Sequence, residues 1–209
     1  MDYIERGIAW VLKNKRGRDA GLIPNSNPFS NVREPTITLE CPDIGPSGSE
    51  FPASFSMFAE GRFPTLEWKL PEDFPEGSEV KEWLLVIQDP DAPLPDPVTH
   101  GIYYSIPADK TSLAHADFEL VAGAADGEDK NSLKGGFKYG VNRRTNVYMP
   151  PRGLMGHGSH RFFYQIVALR EPIDTAKLSP VATKEEIIAQ IDGKVIAWGQ
   201  WIGMWERKP

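Results

Sequence analysis

Residues 83 to 87, Trp-Leu-Leu-Val-Ile, form an unbroken apolar run. A strand with large apolar side chains at both parities is stable only where both of its faces are covered, so the rest of the chain must supply two layers around it. The run stops at Asp89-Pro90, because proline cannot donate to a strand ladder. A second run, His100 to Ile106, alternates. Parity predicts His100, Ile102, Tyr104 and Ile106 on one face and Gly101, Tyr103 and Ser105 on the other. Between the two runs, Pro93, Pro95 and Pro97 restrict the backbone of the connection. Asp89 and Asp91 thus leave one strand where His100 enters the next, and a preorganised polar lip on an apolar sheet is a pocket candidate.

Length and composition bound the class. A chain of 209 residues and 23.3 kDa supports one sizeable core. Its 19 glycines and 19 prolines favour turns and strands over long helices, while 40% hydrophobic content separates it from disordered sequences. The expectation is one β-rich globular unit. A single cysteine, Cys41, excludes an internal disulfide, and no signal-peptide pattern opens the chain, so a cytoplasmic location is expected. No apolar run reaches 18 residues, which predicts no membrane span, and the net charge of −6 argues against a general nucleic-acid binder. Lys13, Lys15, Arg16 and Arg18 form the one basic cluster and read as a solvated cationic helix end, with an anionic-lipid or targeting patch as the alternative.

Ile4, Ile8, Val11 and Leu12 fall on one helical face, predicting a short N-terminal helix over residues 2–15 that docks this stripe on the body, with a partner-binding amphipath as the alternative. Residues 19–35 read as irregular, so residues 1–35 are an N-terminal extension and 36–209 the main globular unit. Residues 36–41 and 53–58 are predicted strands, and 64–70 a short edge strand. The acidic, alanine-rich segment from Pro107 to Leu133 is expected to be loop with one helical turn. Gly135-Gly136 through Gly140 lacks the ending of a phosphate-cradling loop and reads as turn and strand punctuation. Arg161 to Leu169 is a strong strand, placing His160, Phe162, Tyr164, Ile166 and Ala168 on one face. Thr183-Lys-Glu-Glu186 is a capping-box pattern that opens a C-terminal helix ending at Gly193, and Val195 to Trp205 is a closing strand.

Two imidazoles, His100 and His160, therefore sit where apolar strands meet loops. No Gly-x-Ser-x-Gly elbow supports a serine hydrolase. A metal set of His100, His160 and Asp89 or Asp91 lacks compact spacing, and no cofactor is expected. An imidazole oriented by a carboxylate is a competent general base or acid, with His100, His160 and Asp89 as candidates. The least demanding reading is an anion site that uses both histidines and the loop amides at 156–159 as donors, with the aspartates orienting the rings. Asn142-Arg143-Arg144 reads as a solvated loop, with a phosphate contact as the alternative. His115 and His157 are expected to be surface residues.

Asp89-Pro90-Asp91-Ala92-Pro93, His100 followed by a strand ending in Ile106-Pro107, and Pro150-Pro151 with Gly158-Ser159-His160-Arg161-Phe162 resemble the two signatures of the phosphatidylethanolamine-binding protein family. Gly193-Lys-Val-Ile-Ala and Trp205-Glu-Arg resemble its bacterial and fungal branch, and the similarity covers about residues 36–207. The resemblance implies a mainly β, single-domain antiparallel sandwich-like fold with an N-terminal and a C-terminal helix. It also implies an anion pocket formed by Asp89, Asp91, Ala92, Pro93, His100, Pro150, Pro151, Gly158, His160 and Phe162. The implied ligand is an anionic small molecule or lipid headgroup bearing phosphate or carboxylate. Some members inhibit kinases or proteases by protein contacts, and some fungal members assist condensation of anionic intermediates in natural-product pathways. Two departures stand out: Phe162 replaces the family's tyrosine, and the loop from Pro151 to His160 is longer than in the animal proteins.

Overall fold

A computed structural model describes residues 2–122 and 130–208. Its strands are β1 (Thr38–Glu40), β2 (Leu66–Lys69), β3 (Glu82–Asp89), β4 (Val98–Pro107), β5 (Ser112–Leu113), β6 (Lys138–Tyr139), β7 (His160–Leu169) and β8 (Val195–Trp205), with helices α1 (Asp2–Leu12) and α2 (Lys184–Ile191). Five strands make an antiparallel sheet in the order β6-β4-β3-β7-β8, and a three-stranded antiparallel sheet, β1-β2-β5, faces it. The fold is mainly β, with two sheets and two helices.

Every residue of β3 is buried, as the apolar run requires. Trp83, Leu85 and Ile87 pack toward the smaller sheet with Leu39, Leu66, Trp68 and Leu113. Leu84 and Val86 pack on the opposite side against Ile187 and Ile191 of α2 and against Ile23 and Phe29 of the N-terminal extension. Each such side chain contributes about 1.5–3 kcal/mol on burial, so this double-sided strand is the energetic centre of the fold. Thr183 caps α2 as its sequence foretold: its hydroxyl accepts from Glu186 N, and the Glu186 carboxylate accepts from Thr183 N. The glycines between the tryptophans of β8 allow close approach, since a Cβ at Gly199 would lie 2.1 Å from Ile37 O.

Several expectations are corrected. Strict alternation fails twice along β4, where register shifts against β3 fall between Trp83 and Leu85 and between Ile87 and Gln88. At the first, Ser105 adopts a left-handed backbone (φ 58), and Ile106 moves to the side of Tyr103 and Trp83. Glu82 Oε1 stabilises that bulge by accepting from Ser105 N at 2.7 Å. At the second, Gly101 pairs with Ile87 and Thr99 with Gln88, so His100 is the extra residue and leaves the face of Ile102 and Tyr104. Residues 53–55 form a 3-10 turn instead of a strand. Ser56 Oγ and N both bond to Ala53 O, a local alternative to ladder pairing. The strand within 64–70 is central in its sheet, because β5 covers its far edge. The helical turn expected after Pro107 occurs at His115–Phe118, and residues 123–129 of that segment lie outside the described residues. The N-terminal helix forms, but it does not dock its predicted stripe: Ile4 and Val11 are 72% and 70% exposed.

Candidate functional site

Asp89 ends β3 at the point where β4 and β7 bring in histidines. Its Oδ1 accepts from Asp91 N (2.8 Å) and Ala92 N (3.1 Å), the local turn that an Asp-Pro-Asp sequence favours. Its Oδ2 lies 2.8 Å from His160 Nδ1 on β7. The bulge at His100 turns that ring toward the same end of the sheet, edge-on to Phe162 at 4.9 Å between centroids. Asp89, His100 and His160 are each 2% exposed.

His157 is buried, not superficial, and belongs to this cluster. Gly156 and Gly158 on either side adopt positive φ (81 and 97), conformations that return the His157 ring to the sheet. Its Nδ1 lies 2.8 Å from His160 Nε2, and its Nε2 lies 3.0 Å from Leu12 O at the end of α1. The three contacts of this chain, Asp89 to His160, His160 to His157 and His157 to Leu12, each need one proton. Two neutral imidazoles supply one each, so making all three bonds takes one further proton, held between Asp89 and His160. Burial lowers the His157 pKa, with Leu12 O and Asp89 opposing it and His160 and Arg16 adding to it. Both nitrogens of His160 are then occupied by protein partners.

His100 differs. Its Nδ1 donates to Met149 O at 2.7 Å, which fixes the tautomer and leaves Nε2 as a lone-pair acceptor. Burial lowers its pKa, with His160 adding to the effect and Asp89 and Met149 opposing it, so the ring is neutral. His100 and His160 line a cavity of about 350 Å³ with Asp89, Ala92, Pro93 and the apolar Leu12, Leu94, Val98, Met149 and Leu154. Gly153 and three arginines, Arg143, Arg144 and Arg152, complete its lining. All three are exposed, and no side-chain hydrogen bond or ion pair engages them among the described residues. Asn142 orders the arginine loop: its Nδ2 donates to His100 O and Asn146 O, and its Oδ1 accepts from Arg144 N. A larger groove of about 770 Å³ lies beside Trp68 and Trp83, but it contains no histidine and no arginine.

The other anticipated site residues are placed differently. Asp91 turns toward the N-terminal extension, where it accepts from Gly17 N and from Arg161 N, Nε and Nη2, with Arg161 reaching on to Asp19. Burial alone would raise its pKa, but the Arg161 side chain and backbone, with Arg16, bring it down to about 2. Phe162 is fully buried beneath both imidazoles and packs on Phe51. Pro150, Pro151, Gly158 and Phe162 are not among the residues lining the cavity. Sequence reasoning missed His157, Arg152 and the apolar wall. The Gly-His-Gly pattern around His157 was the available signal. Among the described residues, no group of three or more His, Cys, Asp or Glu side chains is arranged to hold a metal ion.

These features define a mainly β protein with a small cavity, apolar-walled and rimmed by histidines and arginines, at the ends of its central strands. The chain belongs to the phosphatidylethanolamine-binding protein family, whose model matches residues 43–206. It is 42% identical, over all of its length and 84% of the relative's, to "Phomoidride biosynthesis cluster protein B" of Talaromyces stipitatus. A protein of the same description from a fungal species is 40% identical over all of this chain and 98% of its own length. Among solved structures, a putative phosphatidylethanolamine-binding protein homologue from Chlamydia trachomatis superposes with a TM-score of 0.62 at 23% identity, covering 83% of this chain and 99% of that one, which shows the shared fold.

Proposed function

We propose that the protein binds the phosphate- or carboxylate-bearing end of an amphiphilic small molecule and serves a fungal biosynthetic pathway. The observation that carries this reading is the cavity itself, where three arginines without side-chain partners among the described residues share a lining with a neutral, partly unsatisfied His100 and an apolar wall. Guanidinium groups favour oxyanions by charge-assisted, often paired hydrogen bonds, and the wall of Leu12, Leu94, Val98, Met149 and Leu154 suits an alkyl or acyl body. The description of the two fungal relatives supports the pathway context. Calorimetric titration with octyl phosphate and octanoate tests the reading. Wild type binds at least one of them, and the Arg143→Gln, Arg144→Gln, Arg152→Gln triple variant binds it roughly tenfold more weakly, or worse. Absence of binding by wild type, or equal affinity in the triple variant, contradicts it.

A second reading rests on His100 with the arginines beside it. A neutral imidazole with Nε2 free beside guanidinium groups is equipped to take a proton from a carbon next to a carbonyl, while arginine holds the resulting enolate oxygen. Exchange of solvent deuterium into the α-carbon of a keto acid such as levulinate, followed by NMR, tests this. Exchange should slow about a hundredfold in His100→Ala. Exchange no faster than in buffer removes the catalytic reading and leaves the binding one standing.

A further inference from the structure

The outer face of α1 is apolar and has no protein partner among the described residues. Each helical residue advances by about 100°, so Trp10, Tyr3, Gly7, Val11, Ile4 and Ile8 follow one another around roughly 160° of the helix. Tyr3, Ile4, Trp10 and Val11 are 70% or more exposed, and Ile8 47%. The helix cannot roll this face onto the body, because its inner side is tied down. Glu5 Oε1 accepts from Arg207 Nη1 (2.7 Å) and Met155 N (3.2 Å), Ala9 is fully buried, and Leu12 O receives the His157 bond.

Charge indicates what covers this face. Arg6, Lys13 and Lys15 are exposed and without side-chain partners among the described residues, and the cavity that Leu12 lines adds Arg143, Arg144 and Arg152. Pairing two copies through the same face would set these cations against one another. An anionic bilayer receives both features: aliphatic and aromatic side chains enter the headgroup boundary while lysine and arginine meet lipid phosphates. We propose that α1 is an interfacial anchor that docks the protein, cavity end included, on membranes containing anionic phospholipid.

Co-sedimentation with vesicles of phosphatidylcholine, with and without phosphatidylserine, tests the proposal. Wild type should pellet with the phosphatidylserine vesicles at low salt and much less with phosphatidylcholine alone, and binding should fall as ionic strength rises. The Ile4→Ser, Val11→Ser double variant alters exposed positions only, so its circular dichroism should match wild type while its vesicle affinity drops about tenfold or more. Excess inorganic phosphate, with sodium chloride reduced to hold ionic strength constant, should leave vesicle binding unchanged, which separates anchoring from headgroup capture in the cavity. Three results overturn the proposal: no binding to phosphatidylserine vesicles, equal binding by the double variant, or release by phosphate. A concentration-dependent dimer that the double variant abolishes, without vesicle binding, would also overturn it and make the face a self-interface.

Discussion

His157 Nδ1 stands 2.8 Å from His160 Nε2, and this contact takes the last nitrogen of His160 away from the cavity. On the binding reading proposed above, a ligand would meet His100 and the arginines, with the hydrogen-bonded His160 and Asp89 behind them. The same contact joins the site to α1 through Leu12 O.

Removing the His157 ring should therefore cost stability. His157→Ala leaves His160 Nε2 buried without its partner and takes one bond from Leu12 O, which keeps the bond from Lys15 N. Urea denaturation should show a loss of about 1–3 kcal/mol. A variant as stable as wild type would mean that the imidazole pair does not form.

Asp91 gives a pH signature of its own. Its folded pKa is depressed to about 2, so its stabilising contribution is fully present above the unfolded value near 3.8 and disappears as pH falls through about 2. Asp91→Asn should cost roughly 2 kcal/mol at pH 7 and flatten the acid limb of the stability profile below about pH 4. Parallel acid limbs for variant and wild type would rule out the ion pair with Arg161 as its source.

The bulge that turns Ile106 inward depends on Ser105 at φ 58. Glycine adopts that conformation without the Cβ penalty, so Ser105→Gly should raise stability by about 0.5–1 kcal/mol in thermal or urea unfolding, after its own entropic cost. Destabilisation of similar size would show an ordinary strand at this position.

Much of the fold is legible in local pattern because local pattern causes it. The buried run at 83–87, the cap at Thr183 and Glu186 and the alternation of 161–169 each reflect a requirement within a few residues. The meeting of Asp89, His100 and His160 followed from their positions at strand ends, yet parity alone would have put His100 on the wrong face. A bulge is a pairing event between strands, and neither strand's own periodicity reports it. His157 was hidden for the same kind of reason, since its partners lie on β7 and at the end of α1. The stripe on α1 was read correctly as apolar and wrongly as docked, because amphipathicity does not say which surface will cover it.

The central claim is that an anionic group enters the cavity and meets His100 Nε2. Nitrogen-15 NMR of histidine-labelled protein, titrated with octyl phosphate and, separately, with octanoate, tests it directly. Free His100 is neutral because burial lowers its pKa, whereas a bound oxyanion favours the imidazolium. Binding should thus take up a proton, and affinity should rise as pH falls through and below the ordinary histidine value of about 6.5. The account predicts that the His100 Nε2 resonance moves from the unprotonated toward the protonated range with saturating ligand, while exposed His115 stays still. Saturable binding that leaves His100 Nε2 unmoved, or no binding at all, would contradict it.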